Sequence, residues 1–441
     1  MGSWSMLLLA LLNGGGNDLL DYLSVKAYWQ AKSVAITTEG MVTELKAAEK
    51  AEGAQPLGGP KARAVRRLMA TRALGELKDP NALGALKKMV DSKELFESEY
   101  AQRAIAAIEG KTFKDSAPTA KEMQSDVWLL PSTCGAVVQA STRAGKPATA
   151  EEIVKAISPS LPEGTGEKAL TGITQDLISL AEQIGNIRLH GVTVGIAGNV
   201  GSRSGHVVVV PRGLYDPDAV KAALVRAGAK SVMFGQTEVL SPNEDMAIIL
   251  ASKERLVLLG GPTRAELPIG DMVNAVNTGK GKLEENEALA KLIKSIDTTG
   301  PVWAVMQVTE SYREASFLAP FDTVTLQSKQ KEGQIDISLA AQGKDVEKVS
   351  RAVVEFNNLM AKGSEEVSRE AQRMPPLKLL ADLLASIKAQ ADGTKATATA
   401  QLKGDLKGLL AIPFMRIVGR PAVRDQSGVR PVPPPHPPER E

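Results

Sequence analysis

Cysteine is nearly absent from this 441-residue chain, which carries only Cys134. An internal disulfide and a multi-cysteine metal site are thereby excluded, while a single thiol leaves the redox compartment open. Aromatic residues are scarce at 4%, which argues against the stacking platforms that hold single-stranded nucleic acid. An excess of one charge is missing as well. The 53 basic and 51 acidic side chains leave a net +2, too little to attract nucleic acid or an acidic membrane through a global field. Long apolar runs are lacking too. The run Met6-Leu7-Leu8-Leu9-Ala10-Leu11-Leu12 stops at Asn13 and three glycines, and Leu406 to Val418 is broken by Pro413 and Arg416. A spanning helix needs about 20 apolar residues, so no transmembrane segment is expected. A secretory signal would place Lys or Arg ahead of the apolar run, whereas the first basic residue is Lys26. The expectation is a cytoplasmic protein in which residues 1–16 pack on the body. The alternative is an exported or envelope-associated protein held through that segment.

What is present is ordinary globular material, with 43% hydrophobic and 24% charged residues. A chain of this length predicts about three domains with real cores. Residues 61–110 read as helices. Ala70, Ala73 and Leu74 recur 34 residues later as Ala104, Ala107 and Ile108. Asp79 is placed to cap a helix whose first residue is Pro80, a position where proline loses no needed hydrogen bond. Leu83, Leu86 and Val90 then share one face. In Ala73-Leu74-Gly75-Glu76-Leu77 and Asp79-Pro80-Asn81-Ala82-Leu83 this stretch resembles the HEAT-like repeats of bacterial proteins. That resemblance implies binding of other proteins through an extended helical surface. With barely one and a half repeats where about three are needed, these helices are expected to dock on the rest of the chain.

The body downstream reads as a duplication. Val127-Trp128-Leu129-Leu130 returns as Val302-Trp303-Ala304-Val305, which predicts two equivalent strands with Trp128 and Trp303 as matched core anchors. After each copy come two strand-like runs, a helix and two more strand-like runs. In the first unit (residues 120–262) these are Ile187 to Ala197, His206 to Val210, a helix opened by Asp216-Pro217-Asp218, Ala247 to Leu250 and Leu256 to Leu259. A helical insertion occupies about 149–185. Helices at about Thr263 to Val276 and Asn286 to Ile296 link the units across 263–298. In the second unit (299–404), Phe321 to Lys329 and Gln334 to Ala341 alternate around a turn at Lys331-Glu332-Gly333. A helix follows over Asp345 to Leu359, then Ile387 to Ala391 and Lys395 to Leu402 around Asp392-Gly393-Thr394. Hairpin, helix, hairpin predicts an α+β fold with N-terminal HEAT-like helices and two antiparallel modules. Whether the modules join edge to edge or face to face is left open. Strict alternation exposes one face of the second sheet, with Thr323, Thr325, Gln327, Thr397, Thr399 and Gln401 as a flat, uncharged candidate interaction surface.

Motifs that suggest chemistry fail on context. Gly198 to Gly205 joins two strands, whereas a dinucleotide loop must lead into a helix. Gly260-Gly261-Pro262-Thr263 does precede a helix, but Thr263 with Glu266 forms a capping-box pattern and the Walker lysine is missing. If His206 lies opposite about Asn199, His190 is about nine residues along its strand, roughly 30 Å away and beyond any shared metal. His436 sits in a proline-rich tail running from Arg430 to Pro438, expected to be extended and disordered. Cys134 reads as a small buried hydrophobe. Glu151-Glu152, Glu284-Glu285 and Glu365-Glu366 read as solvated helix faces. No catalytic, cofactor-binding or metal-binding residue is assigned.

The whole chain resembles bacterial HEAT-repeat-containing proteins that join such helices to a repeated α+β body, a resemblance that implies no activity. The expected function is a non-enzymatic interaction or structural scaffold, with a protein as partner and no nucleic acid. The alternatives are a hydrolase-type enzyme or a small-ligand carrier with its site between the two modules. An enzyme should gather Cys134, a histidine or several carboxylates in one pocket.

Overall fold

The computed structural model describes residues 18–50, 59–113, 120–141, 149–157, 165–198, 205–262, 266–313, 317–331, 334–372 and 377–403. The apolar run at 6–12, most of the glycine loop at 198–205, Thr263, Glu332-Gly333 and the segment from 404 with its proline-rich tail lie outside them.

Helices α1 (Val25–Ala31) and α2 (Thr38–Lys50) precede α3 (Ala62–Leu77), α4 (Leu83–Val90) and α5 (Glu97–Ile108). Ser24 caps α1 by accepting the Ala27 N–H at 3.0 Å. Asp79 accepts the Asn81 N–H at 2.9 Å ahead of Pro80, as its spacing predicts. Gly75 on α3 is where that helix meets α5, since a Cβ there would stand 3.0 Å from the Ala104 Cα. α6 (Ala120–Ser125) leads to the body, and the insertion forms α7 (Ala150–Ile157) and α8 (Thr165–Ile184). Leu68, Leu74 and Leu86 of the early helices share one core with Leu177 and Ala181 of α8. The 61–110 helices therefore spend their apolar faces inside the molecule.

The strands are β1 (Ala136–Ser141), β2 (Arg188–Ala197), β3 (His206–Leu214), β4 (Lys230–Phe234), β5 (Thr237–Ser241), β6 (Met246–Ser252), β7 (Arg255–Gly260), β8 (Val302–Gln307), β9 (Phe321–Lys331), β10 (Gln334–Gly343), β11 (Lys388–Asp392) and β12 (Lys395–Lys403). Between them lie α9 (Pro217–Arg226), α10 (Ile269–Thr278), α11 (Glu287–Lys294), α12 (Val346–Ala371) and α13 (Leu377–Ser386). All twelve strands join one sheet in the order β11-β12-β10-β9-β8-β1-β2-β3-β7-β6-β5-β4. The fold is α+β, and the two units meet edge to edge through antiparallel β1 and β8. Outward from that seam the order reads β8-β9-β10-β12-β11 one way and β1-β2-β3-β7-β6 the other. Each half is thus a three-strand meander, a helical crossover and a closing hairpin. The first half adds β4 and β5 at its end.

Layering follows from the register. In the first half, Leu240, Ile248 and Leu258 pair across β5, β6 and β7 and face the N-terminal helical layer. Their strand neighbours Val239, Ile249 and Val257 face the opposite side, where α10 and α11 supply Met272, Val273, Leu289 and Ile293. Both faces are covered there. In the second half, among the described residues, one face carries a helical layer and the other carries none: Val324, Ala341 and Ala396 pack under Val349, Ala352 and Val353 of α12.

Several sequence expectations need correction. Val127–Leu129 is a 3-10 turn and not a strand; the strand that pairs with β8 is β1, beginning at Ala136. Four apolar residues do not distinguish a buried turn from a strand. Here Pro131, which has no N–H to give to a sheet ladder, follows at once, and Val127, Leu129 and Leu130 are buried within the turn. Trp128 and Trp303 are accordingly not equivalent. Trp303 is 1% exposed and donates its indole N–H to Gln139 Oε1 at 3.0 Å. Trp128 is half-buried, with the Lys294 ammonium 5.6 Å from its ring centroid. The α12 helix runs to Ala371, twelve residues past the expected Leu359. β1, α13 and the β4–β5 hairpin had no counterpart in the sequence reading.

Candidate functional site

The six residues marked by alternation share one face of the second half-sheet. Gln327 stands opposite Ser338 and Ser338 opposite Thr399; Thr325, Ala340 and Thr397 form the next row. Thr323 faces Gln342, and Gln401 faces Asp336. Thr397, Thr399 and Gln401 are exposed, as are Ser338 and Gln342, while Thr323, Thr325 and Gln327 are half-buried. The period of two explains this directly. Ala396, Ala398, Ala400 and Leu402 alternate with the polar positions of β12 and are buried on the other face. Gln390, opposite Thr397 on β11, extends the patch beyond the residues singled out in the sequence. Charge stands at its margins, among the described side chains at Lys329, Lys331, Asp336, Lys388, Asp392 and Lys395.

Four strands at about 4.8 Å spacing and some six residues of strand rise give the patch on the order of 400 Å². That is about half of one partner's share in a standard interface. Its edge toward the first half is sharp. Gln327 Oε1 accepts the Asp297 N–H at 3.3 Å, just after α11. Beyond it Gln139 receives the Trp303 indole and donates to Thr193 Oγ1 at 2.9 Å and the Met123 carbonyl at 2.7 Å. These buried bonds fill the seam between the halves, so a continuous ladder stands where a site between the modules would need a cleft.

The residues tested for chemistry serve packing. Cys134 is fully buried in the core beneath α11, and a Cβ at Gly195 would stand 2.7 Å from its Sγ. Burial pushes its thiol up to about 12, leaving it protonated and unreactive at neutral pH. His206 pairs with Ala197 and not Asn199, which shortens its separation from His190 to about seven residues of strand, roughly 23 Å. His206 Nε2 lies 3.3 Å from Thr133 Oγ1, and burial lowers its pKa. His190 sits at a bulge in β2; burial, then the Arg188 charge, push it down to about 4. Among the described residues no three His, Cys, Asp or Glu side chains cluster as metal ligands. No helix among them is long and apolar enough to cross a membrane.

The buried charges hold layers together. Asp18 is fully buried and receives Arg188 Nε at 2.5 Å and Nη2 at 3.0 Å, while Arg188 Nη1 reaches Glu99 at 2.6 Å. Burial alone would raise the Asp18 pKa, but the Arg188 hydrogen bonds and charge outweigh it and hold the carboxyl below its ordinary value. Asp126, also fully buried, binds Arg212 at 2.6 Å and Arg255 at 2.8 Å. Asp216 caps α9 through the Ala219 N–H and pairs with Lys61 of the helical layer. Only spatial proximity reveals these clusters, because the partners lie far apart in sequence.

Comparison with known proteins adds the following. No protein family and no curated protein matches the chain. Among solved structures, crystal form I of TP0453 superposes with a TM-score of 0.34 at 11% identity, over 69% of this chain and 99% of that one. Crystal form III gives 0.35 at 10% identity with the same coverage, and crystal form IV gives 0.32 at 10%, over 65% and 97%.

Proposed function

We propose that the chain is a non-enzymatic protein-binding component whose contact surface is the open face of the second half-sheet. One observation supports this reading above others. On a single side of one continuous sheet, α10 and α11 cover the first half, while among the described residues nothing covers Ser338, Thr397 and Thr399 of the second. The chemistry of the face narrows the partner. Its lysines stand at the rim and its centre is uncharged, and it lacks the apolar area that would enter a lipid surface. Hydroxyls and carboxamides on a flat sheet suit a polar protein surface, and the short threonine and serine side chains lose little entropy on making hydrogen bonds to it. The N-terminal helices, with their HEAT-like resemblance, act in this reading as a packed supporting layer.

The test compares partners recovered from the native host by the full chain, by Thr325→Arg and Thr399→Arg, and by Lys88→Glu on the exposed side of α4. The expected result is a partner bound by the unaltered chain and by Lys88→Glu, and lost at least tenfold with either face variant. Equal recovery by all four proteins would refute the assignment of the face.

A further inference from the structure

The second half-sheet is under-filled on its covered side. Between α12 and the strands lies a cavity of about 70 Å³ whose mouth opens to solvent. Its floor is Val324, Leu339, Ala341, Ala389, Ala396 and Ala398, and its roof is Ala352, Val353 and Phe356 of α12. On the same face of the first half-sheet, under the crossover helix α9, the closing hairpin carries Ile248, Leu256 and Leu258 where the second half carries alanines. Close-packed interiors do not leave such space without cost, and lining atoms that face a void forfeit their dispersion contacts. The roof is nevertheless held in place. Asp345 caps α12 by accepting the Lys348 N–H at 3.0 Å. Further along, Asn357 clasps the edge strand β11, donating to the Ala389 carbonyl and accepting the Ala389 N–H, each at 3.1 Å. The half-buried rings of Phe317 and Phe356, with centroids 6.3 Å apart, mark the more exposed side of the space.

From this geometry we propose that the cavity is a binding site for one uncharged alkyl chain or a comparably slender apolar molecule. The lining is apolar apart from Thr397, whose side chain belongs to the opposite, open face, so nothing in the cavity selects a charged or strongly polar ligand. Water gains little there, because it would find almost no hydrogen-bond partners. A broad ring system is excluded by the small inner volume, whereas a chain can enter along the strands with its far end in the open mouth. This site stands on the opposite side of the sheet from the protein-contact face and does not depend on it.

The test is calorimetric titration of the full chain with the primary alkanols from butanol to decanol. Saturable one-to-one binding is expected, tightening about fourfold per methylene until the chain fills the space. Ala352→Leu fills the cavity from the roof and Ala396→Val from the floor, so a folding failure in one leaves the other informative. Each should weaken octanol at least tenfold while keeping the far-ultraviolet circular dichroism of the unaltered chain. Val354→Ser, on the 57% exposed outer side of α12, and Thr399→Arg, on the open face, should leave octanol binding unchanged. Absence of saturable binding for every chain length, or equal octanol affinity in the filled variants and the unaltered chain, would overturn the proposal.

Discussion

The two halves of the sheet share a strand order and differ in how they are covered. The first half is enclosed on both faces: large side chains such as Leu129, Met272 and Ile293 cover one, and a core that reaches Trp29 and Leu74 covers the other. Among the described residues the second half has a small core cluster of seven buried residues, three of them on α12 and two of them floor alanines, and no helix covers its other face. The difference teaches that one strand order tolerates two kinds of cover. Where both faces are sealed, the sheet supplies stability; where one is open and the other under-filled, it leaves the surfaces on which the two proposals rest. Regions that bind are commonly drawn from the less stable part of a protein.

The largest expected break lies in the sealed half. Asp18→Ala leaves Arg188 buried without its bidentate partner and should lower unfolding free energy by about 3–5 kcal/mol in urea titration. A loss below about 1 kcal/mol would mean that the helical layer contributes little to the first half. Next come matched truncations. Leu129→Ala, at 1% exposure in the first half, should cost about 2–5 kcal/mol. Leu384→Ala on half-buried α13 should cost about 1 kcal/mol, in proportion to the area it covers. Equal costs would erase the contrast between the halves.

A smaller effect sharpens the picture through pH. Burial, followed by the neighbouring Asp18 charge, pushes Asp21 up to about 6. A carboxyl with a raised folded pKa adds stability that is complete below its unfolded value near 4 and is lost as pH rises through about 6. Asp18 acts in the opposite sense, losing its contribution only as pH falls below the ordinary carboxylate range. Asp21→Asn should therefore raise Tm at pH 7–8, match the unaltered chain near pH 4, and flatten the slope between. An unchanged slope would show that Asp21 titrates normally.

Much of the second half was legible in the sequence because its signal is local. Thr323, Thr325 and Gln327 alternate with Val324 and Leu326, and Asp392-Gly393 supplies the turn, with Gly393 at φ +57°. The open face follows from that alternation alone. The first half was harder. β4 is an edge strand whose Val232 and Met233 are exposed, so it carries no inward and outward rhythm. β1 was masked by the more hydrophobic Val127–Leu130, which tertiary burial turned into a 3-10 turn. The edge-to-edge seam depends on β1 meeting β8 across more than 160 residues, with Gln139 opposite Trp303, and no local pattern encodes such a pairing. The cavity was hidden for a related reason. Alanines read equally well as close packing or as space, and only the position of α12 decides between them.

Native-state hydrogen exchange, read residue by residue with increasing denaturant, tests the contrast between the halves most directly. Amides of β2, β3 and β7 should exchange only with global unfolding. Those of β9, β10 and β12 should exchange through a smaller opening at distinctly lower free energy. A single common free energy across both sets of strands would contradict the division into a sealed half and a loosely covered half.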